Sequence, residues 1–330
     1  MTRSRPTIQE VARAAGVSPT TVSRVLNGTA RVSREKVRAV LKAVEELGYT
    51  PSPLAQSLAT GRSYAVGILV PSLSSPFYGP ILEAITQELL PSEYRPIAVP
   101  TYWSLIEELE ALEFLRMHRV EALIVLGTSM DTRAFQTCGV PILSLGQALE
   151  GERAYTLEVN NQEAAYRATR YLLAKGHRHI VHVTSHQGGQ DIQERYLGYR
   201  KAMREARLPT RVLYGNLQED GGYQVADELL DRFPEATAVF AANDQTAIGL
   251  RLRLWEKGVR VPEDLSLVGF DDIDLAAYQT PPLTTVRQPM RAIGRTLAAA
   301  AKALIEGHEP TLSPISLELV ERQSVKEVSA

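Results

Sequence analysis

The sequence predicts an all-α helix-turn-helix headpiece joined to an α/β body of two doubly wound parallel-sheet subdomains. Three observations lead there. Near the N-terminus, two short helical patterns, each opened by a hydroxyl residue, flank the break Ala15-Gly16-Val17. From Tyr64 onward, eight apolar strand-like runs appear, most of them separated by helical patterns. Charge divides at the same point: residues 1–62 carry ten Lys/Arg against four Asp/Glu, net +6, and the rest carries 26 against 34, net −8. A basic head on an acidic body is the electrostatic footprint of a nucleic-acid module attached to a part that does not bind nucleic acid.

Thr7 is the expected N-cap of a first helix, because Glu10 follows three residues later and completes a capping box. After the break, Ser18-Pro19 restarts a helix: serine accepts orphan amide bonds at the cap and proline suits the first helical position. This second helix is expected to run to about Leu26, where Asn27-Gly28 stops it. Two short helices joined by a glycine-containing turn form a helix-turn-helix. A third helix follows from Ser33 and Lys36 through Leu47, with Val37, Val40, Leu41, Val44 and Leu47 on one stripe.

In such a motif the second helix lies in the major groove, with its N-terminal residues against base edges. Pro19, Thr20 and Arg24 are therefore the expected readers. Arg24 can donate bidentately to guanine O6 and N7, and Pro19 and the Thr20 methyl can pack on a thymine methyl. Ser18, Thr21, Ser23, Asn27 and Arg31 have the reach and chemistry for phosphates, which position without specifying. For Thr21 and Ser23 the alternative is an ordinary helix-surface position. Thr7 is placed among the DNA-contacting residues as well. Reading two half-sites requires two-fold symmetry, so a homodimer is expected.

Gly48 then stops the third helix, Pro51 and Pro53 stiffen the chain, and Ser52 caps a segment too short to be a stable helix alone. The body's strand-like runs fall at 64–70, 95–99, 122–126, 141–145, 179–183, 211–214, 237–241 and 265–269. Alternating strands and helices imply parallel sheets with crossover helices, and this many strands suit two subdomains.

Other classes are disfavoured. At 330 residues, 44% hydrophobic and 22% charged, the chain has the makings of two or three folded domains. The single cysteine, Cys138, reads as a small core residue and fits a reducing compartment. The N-terminus is basic but is followed by no apolar h-region, and no uncharged apolar run approaches the ~20 residues of a membrane span. A soluble cytoplasmic protein without membrane contact is expected. His177, His179, His182 and His186 crowd into ten residues, yet zinc sites usually add Cys or acidic partners at defined spacing. His177 reads instead as a helix-end cation, and strand alternation separates His179 from His182. No metal or cofactor is expected. No nucleophile elbow, phosphate loop or zincin motif is present, so an enzyme is not expected. A transport binding protein is disfavoured by the headpiece and the missing export signal.

The run from Thr7 through Asn27, TIQEVARAAGVSPTTVSRVLN, closely resembles the headpiece of the lactose repressor family of bacterial transcriptional regulators. Glu10 stands where family members usually have Asp. A second match runs from Ala238-Val239-Phe240-Ala241-Ala242-Asn243-Asp244 through Val261–Asp272 to Pro281–Val286, so the resemblance covers nearly the whole chain. It implies a body of periplasmic-binding-protein type, with crossings near Asn160, Gln288 and Val320 and an effector in the cleft between subdomains. The expected division is headpiece 1–48, hinge 49–63 and body 64–330. Within the body, the N-subdomain takes about 64–159 and 289–319, and the C-subdomain 160–288 and 320–330. The resemblance further implies a hinge that folds on DNA, with Leu58 wedged into the minor groove and Ala55 beside it. Such a wedge exchanges unstacking for a bent duplex with more contact. Ser52 and Gln56 replace the frequent Asn and Arg. Burial of Leu58 against the body is its alternative.

Arg195, Asn243 and Asp271 match residues that face the effector in relatives, with a surface ion pair the alternative for Arg195 and a turn role for Asp271. Asp244 reads equally as an N-cap or a ligand contact. Phe77 and Tyr78 are candidates for the cleft wall, one of them alternatively in the core, and Ser72 belongs to the same strand end. Two departures bear on the effector: Gly146 where sugar-responsive relatives often carry an aspartate, and Leu217 where an aromatic lid is common. Gln147 is the candidate replacement acceptor. The expected function is a DNA-binding regulator, a repressor, acting on double-stranded operator DNA under a small-molecule effector. A carbohydrate is the expected effector, with a purine or nucleoside corepressor, or no effector, as the alternative. The short tail after Val320–Ser324 has no apolar heptads, so no tail-mediated tetramer is expected.

Overall fold

Three helices form the described part of the headpiece in the computed structural model, which describes residues 6–27, 32–49 and 62–328. Helix α1 (Ile8–Ala14) opens on the expected capping box: the Thr7 side chain accepts from the Glu10 amide, and the Glu10 carboxylate accepts from the Thr7 amide at 2.7 Å. Gly16, at φ +65°, turns the chain toward α2 (Pro19–Asn27), whose first turn is capped by Ser18 accepting from the Thr21 amide at 3.2 Å. Helix α3 (Arg34–Leu47) ends at Gly48 in the left-handed region. Val11, Ala12, Val22, Val40 and Ala43 make the small core.

The stripe expected on α3 is only partly right. Val40 is buried, but Leu41 and Leu47 are 52% and 39% exposed, and Ala43 takes the inner position instead. Two short helices cover a narrow face: Leu41 lies about 100° round from Val40, and Leu47 is the last helical residue. Ser33 stands before α3 but makes no side-chain cap bond.

Contacts separate Met1–Ser63 from Tyr64–Ala330. In the body all eight expected strand runs are strands, their ends shifted by at most two residues. One sheet consists of β1 (Ala65–Val70), β2 (Arg95–Pro100), β3 (Ala122–Val125), β4 (Ile142–Leu145) and β5 (Ala154–Leu157), in the parallel order 2-1-3-4-5. The other consists of β6 (Ile180–Ser185), β7 (Arg211–Gly215), β8 (Ala238–Ala241) and β9 (Ser266–Val268), in the parallel order 7-6-8-9. Both orders are doubly wound, with β1 and β6 at the point where the winding reverses. Ligand crevices open at that point, outside the strands' C-terminal ends. Between the strands come the helices α4 (Tyr78–Leu89), α5 (Leu105–Met117), α6 (Asn161–Ala174), α7 (Gln190–Glu205), α8 (Glu219–Arg232) and α9 (Asp244–Glu256).

Three strands were not expected: β5, β10 (Thr285–Arg287) and β11 (Glu318–Val320), the last two forming an antiparallel ribbon. All are short and none is buried throughout, so their residues lack the apolar run that marks a buried strand. The chain passes from the first sheet to the second after β5. It returns after β10 as α11 (Met290–Ile305), which follows the short α10 (Asp274–Ala277) and packs on α4. The last described residues bind the second subdomain: Ser324 donates to the Leu267 carbonyl, and the Val328 amide donates to the Lys175 carbonyl.

Candidate functional site

On α2, Thr20 and Arg24 are exposed and lie four residues apart on one helix face, with Pro19 and Ser18 also exposed at its start. Val22 is fully buried on the opposite side, which sets this outward face. Thr21 is half-buried and its hydroxyl lies 2.9 Å from that of Ser18, so these two side chains first complete the cap. Ser23 is half-buried, Thr7 is exposed, and Asn27 is the last residue of α2. Arg31, Ala55 and Leu58 lie outside the described residues.

In the body, the strand ends of both sheets converge on a cleft of 380 Å³. Ser72, Phe77 and Tyr78 come from the segment after β1, Leu217 from after β7, Asn243 from after β8, and Asp271 from after β9. Gly146 and Gln147, after β4, line a narrow inner chamber of 30 Å³ that shares Phe77, Tyr78, Trp103, Asp191 and Arg195 with the cleft. All nine candidate effector residues thus border one connected region. The crevice rule, applied to two sheets facing each other, accounts for this gathering.

Arg195 is central and 3% exposed. Its Nε donates to Asn161 Oδ1 at 3.1 Å and its Nη1 to the Ala242 carbonyl at 2.6 Å. Asp271 Oδ1 lies 3.4 Å from Nη1 and Asp191 Oδ2 3.6 Å from Nη2. The guanidinium stacks 3.8 Å from the centre of the Phe270 ring. A surface ion pair is therefore excluded for Arg195, and the planar fork leaves donor capacity on Nη2.

Asp271 is buried, with φ +111°, a backbone state that costs about 1–3 kcal/mol in a residue with a side chain. Its carboxylate also accepts from Gln288 Nε2 at 2.8 Å. Burial pushes its pKa up to about 6, against the opposing pull of Arg195 and Gln288. A carboxyl whose folded pKa exceeds its unfolded one binds more protons when folded, so its contribution to stability falls as pH rises from about 4 to about 6. We expect Asp271→Asn, compared with the wild type by thermal melting at closely spaced pH values, to flatten that segment of the curve. An unchanged slope would show that another group titrates there.

Asn243, rather than Asp244, is the N-cap of α9. Its Oδ1 accepts from the Thr246 amide and hydroxyl, and its Nδ2 donates to the Leu217 carbonyl at 2.8 Å, leaving one amide proton for a ligand. Asp244 is buried, bonded to Thr285 and the Ile273 amide, and absent from the cleft lining. Burial and the nearby Asp271 raise its pKa well above the usual carboxylate range.

The sequence reading missed the rest of the lining, Tyr102, Trp103, Gln187, Asp191, Asn216, Gln218 and Gln245 together with Pro71, Ser74, Ser75 and Ile192. Tyr102 and Trp103 have φ of +52° and +56°, a strained pair for bulky side chains. The loop is held by backbone bonds to the end of β1 and by the Ser129 hydroxyl donating to the Trp103 carbonyl. Fully buried Glu108 in turn accepts from Thr128 and from the Ser129 and Met130 amides. Their one sequence signal was position, in the segments that follow predicted strands.

The histidines are dispersed. His182 is buried among Tyr196, Tyr199 and Phe240, with its pKa lowered to about 4 by burial, whereas His179 is exposed and pairs with Glu235. His177 is no helix-end cation: it is buried between Thr237 and the Lys326 carbonyl, and burial lowers its pKa. Among the described residues, no three His, Cys, Asp or Glu side chains converge as a metal site. No described helix is long and apolar enough to cross a membrane. Cys138 is half-buried against the core of the first subdomain.

A helix-turn-helix headpiece carried on two doubly wound subdomains with a polar cleft between their strand ends defines a ligand-responsive DNA-binding regulator. Residues 7–52 match the model described as bacterial regulatory proteins, lacI family, and residues 169–325 match the periplasmic binding protein-like domain. The HTH-type transcriptional repressor PurR of Vibrio atlanticus is 34% identical over 332 residues, covering 97% of this chain and 98% of that protein. Among solved structures, the transcriptional regulator CelR-cellobiose complex is 31% identical, with TM-score 0.71, covering 97% of this chain and all of the other. The lac repressor dimer bound to operator and the anti-inducer ONPF is 27% identical, with TM-score 0.82, covering 98% and 100%. The chain belongs to the lacI family of bacterial transcriptional regulators. It is a sequence-specific DNA-binding regulator with a small-molecule effector domain, and not an enzyme.

Proposed function

We propose that this regulator is a cytoplasmic repressor that binds its pseudopalindromic operator as a homodimer and responds to a neutral carbohydrate in the cleft. Pro19, Thr20 and Arg24 read bases, while Thr7, Ser18, Thr21, Ser23, Asn27 and Arg31 hold the backbone and Ala55 and Leu58 engage the minor groove. Support for the base-reading set is the exposed Thr20 and Arg24 face opposite buried Val22.

The observation that carries the effector class is the cleft's polar inventory. Among the described residues its single cation, Arg195, stands between two carboxylates, Asp191 and Asp271, and the rest of the polar lining is amides, hydroxyls and the Trp103 indole. An anionic ligand would face net negative charge with the one guanidinium already engaged. A neutral polyol finds acceptors in the aspartates, donors in Arg195 and Asn243, and ring faces in Phe77 and Trp103. A purine is the second reading, favoured by the four aromatic side chains of the lining, Phe77, Tyr78, Tyr102 and Trp103, on which a base can stack. Effector closure of the cleft changes operator affinity by the same factor by which operator changes effector affinity.

A thermal-shift panel of monosaccharides, disaccharides, guanine and hypoxanthine checks this. A ligand at 100 times its Kd stabilises the native state by about 2.7 kcal/mol, and we expect a saccharide to do so. A response to the purines with none to any saccharide would replace the carbohydrate reading with the purine one.

A further inference from the structure

Trp103 lies where the two subdomains meet at the cleft. Its indole reaches between two glycines, one on each subdomain. A Cβ at Gly127 would lie 2.8 Å from the indole Cη2, and one at Gly189 would lie 3.5 Å from Cζ3. Any side chain at Gly127 would push the ring out, and Pro71 closes the same side, its Cγ 2.9 Å from that Cβ position. The ring borders both the 380 Å³ cleft and the 30 Å³ inner chamber, so it forms part of the partition between them. Its backbone, and that of Tyr102, is held in the left-handed region by the bonds described above, and so the ring is aimed at the cleft by the loop. The aliphatic side chains of Ile192 and Leu217 line the same cleft beside Gly188, the neighbour of Gly189 in the chain.

We propose that Trp103 is the platform on which the effector's ring face packs, and that it decides effector size by walling off the inner chamber. The proposal rests on the carbohydrate reading for the nature of that ring face. A pyranose presents a face of C–H bonds that packs on an indole, while its hydroxyls, in the ring plane, reach Asp191, Asp271 and Arg195. Because Trp103 touches both subdomains, effector seating and subdomain closure act on one ring.

The chain has two tryptophans, and Trp255 is 65% exposed on α9, outside the cleft lining. In full-length protein carrying Trp255→Phe, all tryptophan emission comes from Trp103. Titration with glucose, ribose, lactose, cellobiose, guanine and hypoxanthine, with binding measured in parallel by calorimetry, gives the test. We expect a binding saccharide to shift or quench the emission, Trp103→Phe to keep affinity within about threefold, and Trp103→Ala to lose tenfold or more. Trp103→Ala should also accept a longer saccharide that the wild type rejects. A saccharide that binds with unchanged emission and equal affinity for Trp103→Ala overturns the platform and leaves the carbohydrate reading standing. Quenching by a purine alone keeps the platform and overturns the carbohydrate reading. Binding of none of the six probes by the wild type overturns both.

Discussion

Arg195→Ala is expected to destabilise the body by about 3–5 kcal/mol near neutral pH, the cost of removing one partner from a buried charged network, and to abolish effector binding. Asp271 is buried, so the missing guanidinium leaves a carboxylate without its cation, and Asn161 and the Ala242 carbonyl lose a donor. The pH dependence has a definite sign. Asp271 already titrates near pH 6 with Arg195 present, and without that cation its pKa rises further, so at pH 5 it takes up a proton and much of the penalty disappears. Urea unfolding followed by circular dichroism at pH 5 and pH 8 measures both effects. The double variant Arg195→Ala with Asp271→Ala should be more stable at pH 8 than the single one, because no unpaired charge remains. A single variant within about 1 kcal/mol of the wild type at pH 8 would mean that water reaches the cleft and screens Asp271.

Arg24→Ala is expected to weaken operator binding and, more tellingly, to erase discrimination at one base pair in each half-site. A bidentate arginine–guanine pair contributes about 1–3 kcal/mol of discrimination, roughly five- to 150-fold. Anisotropy titrations of the selected operator and its single-base variants, all at one salt concentration, separate this from a uniform loss. The same titrations at several salt concentrations report the phosphate contacts, since each one removed lowers the salt slope by about one. Retention of the wild-type base preference by Arg24→Ala would move the reading function to other residues of α2.

Legibility differed between elements for physical reasons. The central strand runs were readable because a strand buried on both faces of a parallel sheet is mostly apolar, as β1, β3 and β8 are, and as β6 is apart from His182, Thr184 and Ser185. The Thr7 and Ser18 caps were readable because they depend on neighbours within three residues. The β10–β11 ribbon was not, since pairing partners about thirty residues apart leave no local period. The α3 stripe was overdrawn at Leu41 because periodicity gives a face but not the width of what covers it. At Asn243 and Asp244, two adjacent capping residues, only the fold decided that the first caps and the second is buried beneath β10.

The cleft shows the same division. Arg195, Asn243 and Asp271 were named from the resemblance carried by their surrounding segments, while Trp103, equally well placed, stood in a stretch with no distinctive motif. By itself the sequence determined the basic three-helix headpiece, the alternating body and the strand ends where ligand chemistry would gather, because caps, periods and charge are local properties. Tertiary structure alone decided which of those ends share a cleft, that Arg195 is sealed between two aspartates, and that Trp103 fills a slot between Gly127 and Gly189. Each of these depends on the meeting of segments far apart along the chain, a relation that only packing creates.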